Sequence, residues 1–397
     1  MNSLYLTYDG ISDPLGESQI LPYLKGISKI ANIHVISFEK ASTEPKKIIA
    51  LKREFEDFGI KWDRLVFSES RGLFSKTFDF FALHVATFRV LFFNNIDIVH
   101  ARGLPPAIAA ACLRIIFKFR LLYDMRGLWV DERITKGGWR KNNFLDRVQY
   151  QIFKFFEKYV IKNSDKIITL TKTVIPELES IDPRVSEKIT TIPCAADFDH
   201  FYFSDKRPKA IKLEDRSFVL GYLGSVGPLY QFSKFLDLYT VFKKINTNAR
   251  ALVVTNNLED AKKLITKSKL SLTDNGLILV RSSRNDVPNY INCMDVMVSF
   301  CTNAYSAKGA SPTKIGEALA CGIPIVSNKG IGDTDEILRE LNAGIVLPSM
   351  DSDDFPNFIS RIQELKLLKS EALSKRARRV FDLNIAIAKY QSVYETI

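Results

Sequence analysis

Both halves of the chain open with the same local pattern: a short apolar strand, a glycine-containing loop and a helix. In the first half the strand covers residues 4–8, the loop residues 9–16 and the helical pattern residues 17–30. In the second half the strand covers residues 219–223, the loop residues 224–228, and a helix follows. Strands and helices alternate after each opening, which is typical of a doubly wound parallel sheet. The sequence therefore predicts an α/β fold with two Rossmann-like halves.

Length and composition agree with a two-domain globular protein. The 397 residues are too many for one hydrophobic core, and they predict two domains of about 190 residues each. The five cysteines are widely spaced and form no Cys-x-x-Cys pair, which favours a reducing, cytoplasmic compartment without zinc or disulfides. We expect no signal peptide, because the apolar run over residues 4–7 is short and no basic region precedes it. We expect no transmembrane helix, because charged residues interrupt the longest apolar stretches, 78–93 and 105–119.

The net charge of +11 favours an anionic partner: a phosphate-bearing substrate, an anionic membrane surface or nucleic acid. Basic residues are spread over both halves without a recognisable nucleic-acid-binding motif, so we expect no nucleic-acid partner. A basic amphipathic helix over residues 44–58 and an aromatic-rich helix over residues 76–93 leave two interpretations open. Such helices can rest on an anionic bilayer, or they can simply cover a sheet, and we favour the second.

Residues 308–327 contain the most informative local pattern, a loop, a helix and a strand. Ser311 is predicted as the helix N-cap, and Pro312 as the first helical residue. The first-turn N–H groups, near Thr313 and Lys314, and the helix dipole favour an anion such as a diphosphate. One turn later, Glu317 could accept hydrogen bonds from a ribose diol. The alternative is an ordinary capped helix with a solvated Lys and Glu pair.

Residues 311–324, Ser-Pro-Thr-Lys-Ile-Gly-Glu-Ala-Leu-Ala-Cys-Gly-Ile-Pro, resemble the nucleotide-sugar signature of retaining GT-B glycosyltransferases of family 4. In that family the helix N-terminus holds the donor diphosphate, and the glutamate equivalent to Glu317 binds the ribose. The resemblance implies two Rossmann-like domains facing each other across a cleft, with a C-terminal helix crossing back to the first. We accordingly expect an acceptor domain over residues 1–197, a donor domain over 198–380 and the crossing helix over 381–397.

The same resemblance extends to two glycine loops. Residues 9–19 are similar to the first loop of polysaccharide-assembly members, in which the glycine equivalent to Gly16 approaches donor phosphate and acceptor. Family members carry an arginine after the glycine equivalent to Gly224 and a lysine five residues later, but this chain has Ser225 and Tyr230. Backbone N–H groups of the loop over residues 224–227 could still form an anion nest. A family glutamate that contacts the donor sugar is replaced by Gly309.

Candidate catalytic residues follow two strands of the first half. His100 and Arg102 end a strand over residues 96–103, and the carboxyl ends of parallel strands line the ligand crevice. A buried core histidine is the alternative for His100. The segment resembles the family's "Asp, apolar, apolar, His, x, His" strand, with Arg102 in place of the second histidine. Arg126, after the next strand, is a candidate phosphate clamp, with a surface salt bridge as its alternative.

No metal or cofactor is expected. Asp333 and Asp335 have the form of an Asp-x-Asp metal site, but Asp is favoured at a helix start, which is how we interpret this pair. The leading hypothesis is a metal-independent retaining transferase that moves a sugar from a UDP- or GDP-sugar to a hydroxyl of a glycan or lipid-linked glycan acceptor. Surface polysaccharide biosynthesis, with peripheral contact at the inner face of the membrane, fits the resemblance. The alternatives are a GT-B epimerase or phosphorylase and a degenerate, non-catalytic nucleotide-sugar-binding protein.

Overall fold

The computed structural model describes residues 1–68, 73–140, 142–206, 211, 217–270 and 276–397, with the backbone alone at residues 73–76. Contacts divide the chain into two units. The first unit comprises Met1–Ile134, Gly138–Pro193 and Ala386–Ile397, and the second comprises Thr135–Gly137 and Cys194–Ile385. The first unit is thus assembled from distant parts of the chain.

The first unit is built on a parallel sheet that has seven strands within the described residues, in the order β3-β2-β1-β4-β5-β6-β7. The strands are β1 (Asn2–Thr7), β2 (Asn32–Lys40), β3 (Lys61–Phe67), β4 (Ile98–Arg102), β5 (Arg120–Asp124), β6 (Lys166–Thr169) and β7 (Ile189–Thr191). All five residues of β4 are buried, as expected for a strand covered on both faces.

The helices of the first unit connect these strands. They are α1 (Pro14–Gln19), α2 (Leu21–Ile27), α3 (Pro45–Asp57), α4 (Leu73–Phe93), α5 (Leu104–Leu113), α6 (Trp129–Thr135), α7 (Phe144–Asn163) and α8 (Ile175–Glu179). The single helix predicted over residues 17–30 is wrong, because the structure has two helices that meet at Ile20. Pro22 explains the break, since proline has no N–H to continue the ladder.

The second unit contains a parallel sheet with the order β10-β9-β8-β11-β12-β13. Its strands are β8 (Phe218–Leu223), β9 (Ala249–Val254), β10 (Leu277–Val280), β11 (Val296–Ser299), β12 (Ile325–Asn328) and β13 (Gly344–Leu347). The helices are α9 (Phe232–Ile245), α10 (Leu258–Lys267), α11 (Val287–Asn292), α12 (Thr313–Ala320), α13 (Thr334–Glu340), α14 (Ile359–Glu364) and α15 (Glu371–Phe381). Asp333 precedes α13, which confirms the predicted helix start. Two parallel sheets with covering helices confirm the predicted α/β class.

The final helix, α16 (Leu383–Thr396), is fixed to the first unit by two buried tyrosines. The Tyr394 hydroxyl lies 3.0 Å from Ser3 Oγ and 2.9 Å from His100 Nδ1. The Tyr390 hydroxyl donates to Asp124 Oδ2 at 3.2 Å. These contacts join the end of the chain to β1, β4 and β5, which together form the centre of the first sheet.

Removing the Tyr394 hydroxyl should destabilise the first unit. In a Tyr394→Phe variant, two buried polar groups lose a partner, so we expect the free energy of unfolding to fall by about 1–3 kcal/mol. Urea denaturation measures the change. Tyr202→Phe is the matched control, because Tyr202 is 54% exposed and its variant should unfold like the parent. Equal stability of the two variants would contradict an anchoring role for Tyr394.

Candidate functional site

The candidate site of the second unit lies where the strand order of its sheet reverses. From β8 the order runs outward through β9 and β10, whereas from β11 it runs the other way through β12 and β13. Strands β8 and β11 are hydrogen-bonded neighbours, so the loops that follow them diverge at this point. Such a switch point opens a crevice at the carboxyl ends of the strands, where open α/β sheets bind ligands.

Helix α12 begins close to this point, one residue later than predicted. Pro312 is the N-cap and Thr313 the first helical residue, so the prediction of Ser311 as N-cap is wrong. The Ser311 hydroxyl instead accepts a hydrogen bond from the Cys194 backbone N–H at 3.2 Å. The N–H groups of the first turn therefore receive no side-chain cap from the N-cap residue. The Ile315 N–H donates to the Pro312 carbonyl at 3.0 Å, so the N–H groups of Thr313 and Lys314 are the ones that an anion could use.

Lys314 is buried at the start of α12, with 6% of its surface exposed. Its Nζ lies 3.9 Å from the ring centroid of Tyr230 and 4.9 Å from that of Tyr222. Among the described residues this Nζ has no hydrogen-bond partner. The aromatic faces attract the ammonium but cannot accept its hydrogen bonds as an oxygen would. Burial lowers the pKa of Lys314 from 10.5 to about 8. Because Lys314 is buried, the alternative of a solvated Lys and Glu pair is excluded.

The loop after β8 approaches this lysine through a glycine. Gly224 has a φ of +110°, which favours glycine, and a Cβ built on it would lie 3.7 Å from Lys314 Nζ. The Gly224 N–H donates to the Val254 carbonyl at 3.0 Å, and the Tyr222 hydroxyl donates to the Ser225 carbonyl at 2.7 Å. The loop conformation is thus fixed by its own contacts. Tyr230 stands where the resembled family has a lysine, and its ring contacts Lys314.

Glu317 lies one turn after Lys314 and is also largely buried, with 14% of its side chain exposed. Burial raises the pKa of Glu317, while Arg284 and Lys314 oppose that shift. Arg284 Nη1 is 3.8 Å from Glu317 Oε1, and its guanidinium lies over the Phe201 ring. The sequence did not identify Arg284 as the partner of Glu317, because this pairing joins distant parts of the chain.

In the first unit, Gly16 is enclosed by the loop after β1. A Cβ on Gly16 would lie 2.1 Å from the Gly10 carbonyl oxygen. The buried Glu39 carboxylate holds this loop by accepting from the Ile11 N–H at 2.7 Å and the Ser12 N–H at 3.1 Å. Close packing between α1 and its own preceding loop therefore accounts for the glycine. Contact between Gly16 and a donor phosphate stays a prediction.

His100, Arg102 and Arg126 surround one buried carboxylate, Asp124. His100 Nε2 is 3.6 Å from Asp124 Oδ2, Arg102 Nη1 is 3.3 Å from the same oxygen, and Arg126 Nη1 is 3.4 Å from Oδ1. Burial would raise the pKa of Asp124, but Arg126, the His100 hydrogen bond and Arg102 hold it below its usual value. Burial lowers the pKa of His100, so its ring is neutral at physiological pH.

These three side chains differ in access. The side chains of His100 and Arg102 are almost completely buried, at 0% and 1% exposed, whereas that of Arg126 is 15% exposed. The sequence placed all three at strand ends, and the structure brings them together around Asp124. Their catalytic roles stay predictions. The predicted site residues thus form one group within each unit: Gly224, Ser225, Thr313, Lys314 and Glu317 in the second unit, and Gly16 with the Asp124 cluster in the first.

A comparison with known protein families finds a match within the second unit. Residues 203–380 match the family model described as "Glycosyl transferases group 1". A comparison with curated proteins found no match.

Solved structures match over essentially the whole chain. Sucrose-phosphate synthase from Thermosynechococcus elongatus aligns with a TM-score of 0.74 at 14% identity, covering 100% of this chain and 98% of its own. HepE from Anabaena, in complex with UDP and glucose, aligns with a TM-score of 0.70 at 15% identity, covering 100% and 99%. WaaG, a glycosyltransferase involved in lipopolysaccharide biosynthesis, aligns with a TM-score of 0.68 at 13% identity, covering 98% and 99%.

At these identities the solved structures show a shared fold, that of GT-B glycosyltransferases. The match of residues 203–380 to the group 1 family model supports glycosyltransferase activity.

An added methyl group at Gly16 should destabilise the first unit. In Gly16→Ala the Cβ would overlap the Gly10 carbonyl, so we expect a loss of about 1–3 kcal/mol in the free energy of unfolding, read from urea denaturation. Gly227→Ala is the matched control, because the nearest atom to its Cβ lies 4.0 Å away. A stable Gly16→Ala protein would contradict the packing explanation.

Replacing Lys314 by methionine should stabilise the unliganded protein near neutral pH. The folded-state pKa of Lys314, about 8, lies below its ordinary value of 10.5, so between these values the unfolded chain binds more protons. The free energy of unfolding of the parent should therefore rise with pH across this window. We expect an advantage of about 3 kcal/mol for Lys314→Met near pH 7 that shrinks towards pH 10. Urea denaturation at both pH values checks this, and a destabilised variant with no pH trend would contradict it.

Proposed function

We propose that this protein is a metal-independent, retaining glycosyltransferase that moves a sugar from a UDP- or GDP-sugar to a hydroxyl group. One observation supports this proposal above the others. The Lys314 ammonium is buried beside the Gly224 loop without a hydrogen-bond partner among the described residues. A buried ammonium without an oxygen partner is unfavourable, and the diphosphate of a nucleotide sugar would supply the missing oxygens.

The reaction needs stabilisation of negative charge on the departing nucleoside diphosphate. Lys314 and the first-turn N–H groups of α12 are fixed before the donor arrives, so they need little reorganisation as that charge develops. Their effect is strengthened by burial, because charges interact more strongly in a medium of low dielectric constant. Glu317 would accept hydrogen bonds from the ribose hydroxyls, with Arg284 beside it. Retention would follow from departure of the leaving group and attack of the acceptor on the same face of the sugar.

Arg126 is the strongest of the three catalytic candidates in the first unit. Its side chain is partly exposed, whereas those of His100 and Arg102 are buried against Asp124. We therefore assign to Arg126 the contact with donor phosphate, and to His100 and Arg102 the positioning of Asp124 and of the final helix. Gly16 would approach the donor through its backbone.

The acceptor and the cellular role come from the resemblance. We propose a glycan or lipid-linked glycan acceptor in surface polysaccharide biosynthesis, with the acceptor domain at residues 1–197, the donor domain at 198–380 and the crossing helix at 381–397. The proposed location is cytoplasmic, with peripheral contact at the inner face of the membrane. Within the described part of the chain, no helix has the length and apolarity that a membrane span requires.

A degenerate, non-catalytic nucleotide-sugar-binding protein is the second candidate. Gly309 replaces the glutamate that contacts the donor sugar in the resembled family, so the sugar lacks that partner. Ser225 and Tyr230 likewise remove two cations from the donor loop. Binding of the nucleotide would survive these changes through Lys314, whereas turnover could be lost.

Calorimetric titration with UDP and GDP tests the donor site. UDP is the first choice, because the HepE structure contains it. We expect Lys314→Met and Glu317→Gln to weaken binding of the preferred nucleotide by about tenfold to a hundredfold, since each removes a charge-assisted contact of about 1.5–3 kcal/mol. Glu371→Gln is the matched control, because Glu371 lies at the exposed start of α15 and pairs with Lys375.

The outcomes separate the two candidate functions. Nucleotide binding that depends on Lys314 and Glu317, together with hydrolysis or transfer of a nucleotide sugar, supports the transferase. Binding without turnover across a set of nucleotide sugars supports the degenerate protein. If both variants bound the nucleotide as tightly as the parent, α12 would not be part of the donor site.

A further inference from the structure

The outer face of α4 is apolar along its described length. Phe78, Phe81, Val85, Phe88 and Phe92 recur every three or four residues, which places them on one side of a helix. Their exposed fractions are 66%, 65%, 51%, 41% and 63%. Large apolar side chains in a continuous exposed stripe usually mark an interaction surface.

The opposite face of α4 already completes the core of the first unit. Leu83, Val90 and Leu91 are buried there, and the buried Asp79 carboxylate accepts from the Tyr8 hydroxyl at 2.7 Å. The outer stripe is therefore not needed to cover the sheet.

The stripe continues into the turn after α5. The Phe117 ring lies 5.3 Å from the Phe88 ring, edge to face, and the adjacent Ile115 and Ile116 are 80% and 67% exposed. We call the outer stripe of α4 together with Ile115 and Ile116 the aromatic face. A groove beside it is lined by three cations, Arg114, Lys118 and Arg120, and by Asp97, and Asp165 pairs with Arg114 at 2.8 Å and with Arg120 at 3.5 Å.

Helix α7 presents a second apolar stripe in the same helical layer. Phe144, Val148, Ile152 and Phe155 are 68%, 39%, 48% and 65% exposed at helical spacing. Helix α5 packs against both α4 and α7, so the three helices share one side of the sheet.

The charges next to these stripes are mainly basic. Arg89 is exposed on α4, Lys118 follows the turn, and Arg147 and Lys158 are exposed on α7. The acidic residue of α4, Asp79, is buried. A second copy of the chain would bring the same cations against one another, whereas anionic lipid headgroups complement them.

We infer that the aromatic face rests on an anionic lipid bilayer, with its rings at the level of the headgroups and the cations on lipid phosphates. The basic helix α3 is less suited to this contact, because its Leu51 and Phe55 are buried. This inference locates the membrane contact of the proposed function but is independent of the donor chemistry.

Sedimentation with vesicles tests the aromatic face. The parent should bind vesicles of phosphatidylcholine mixed with phosphatidylglycerol, and the double variant Phe81→Gln with Phe92→Gln should bind about tenfold more weakly. Arg89→Gln with Lys118→Gln should lose a similar factor on the mixed vesicles. Ile245→Gln is the control, because Ile245 is 56% exposed in the second unit and its variant should bind like the parent.

Urea denaturation shows that the first unit of each variant is folded, and titration with UDP reports the donor site of the second unit in parallel. A parent that binds UDP but not the mixed vesicles would overturn the membrane inference and leave the donor site intact. A concentration-dependent dimer that Phe81→Gln with Phe92→Gln abolishes, without vesicle binding by the parent, would overturn it in favour of a second copy. Equal loss of binding in the Ile245→Gln control would also overturn the assignment to this face.

Discussion

The candidate site depends on the unfavourable burial of one ammonium group. Lys314 is held between two tyrosine rings and a glycine loop at the switch point of the second sheet. These neighbours do not neutralise the charge, so an incoming anion could still form a favourable interaction with the ammonium. The two rings attract the ammonium, but a solvated position would also give it hydrogen bonds to water, which long cationic side chains usually keep. The arrangement is therefore better explained by a ligand than by folding.

In the first unit, by contrast, the buried charges lie beside charges of opposite sign. Asp124 is surrounded by His100, Arg102 and Arg126, and the tyrosines of α16 complete the network. Arg102 and Arg126 lie beside this carboxylate and His100 Nδ1 meets the Tyr394 hydroxyl, while His100 Nε2 and Arg102 Nε have no hydrogen bond among the described residues. The two units thus contrast a cluster in which buried charges lie beside opposite charges with a buried ammonium that has only aromatic rings and a glycine loop around it.

Much of the fold could be predicted from local sequence, because strands and helices of a doubly wound sheet have short-range signatures. The apolar run of β4 and the helix with its strand at residues 313–328 were recognised in this way. The break at Pro22 was missed although proline marks it. The burial of Lys314 could not be predicted, because it depends on Tyr222 and Tyr230, which are far from it in sequence. The enclosure of His100 likewise depends on Tyr394, at the other end of the chain.

The position of α16 has a consequence for synthesis of the protein. Tyr390 and Tyr394 complete the interior of a unit whose first strand is made almost four hundred residues earlier. While the ribosome is still translating the second unit, Ser3, His100 and Asp124 lack the hydroxyl partners that α16 supplies. The first unit therefore reaches its final packing only after nearly the whole polypeptide has emerged. Until then, the site that α16 will occupy stays open in the nascent chain.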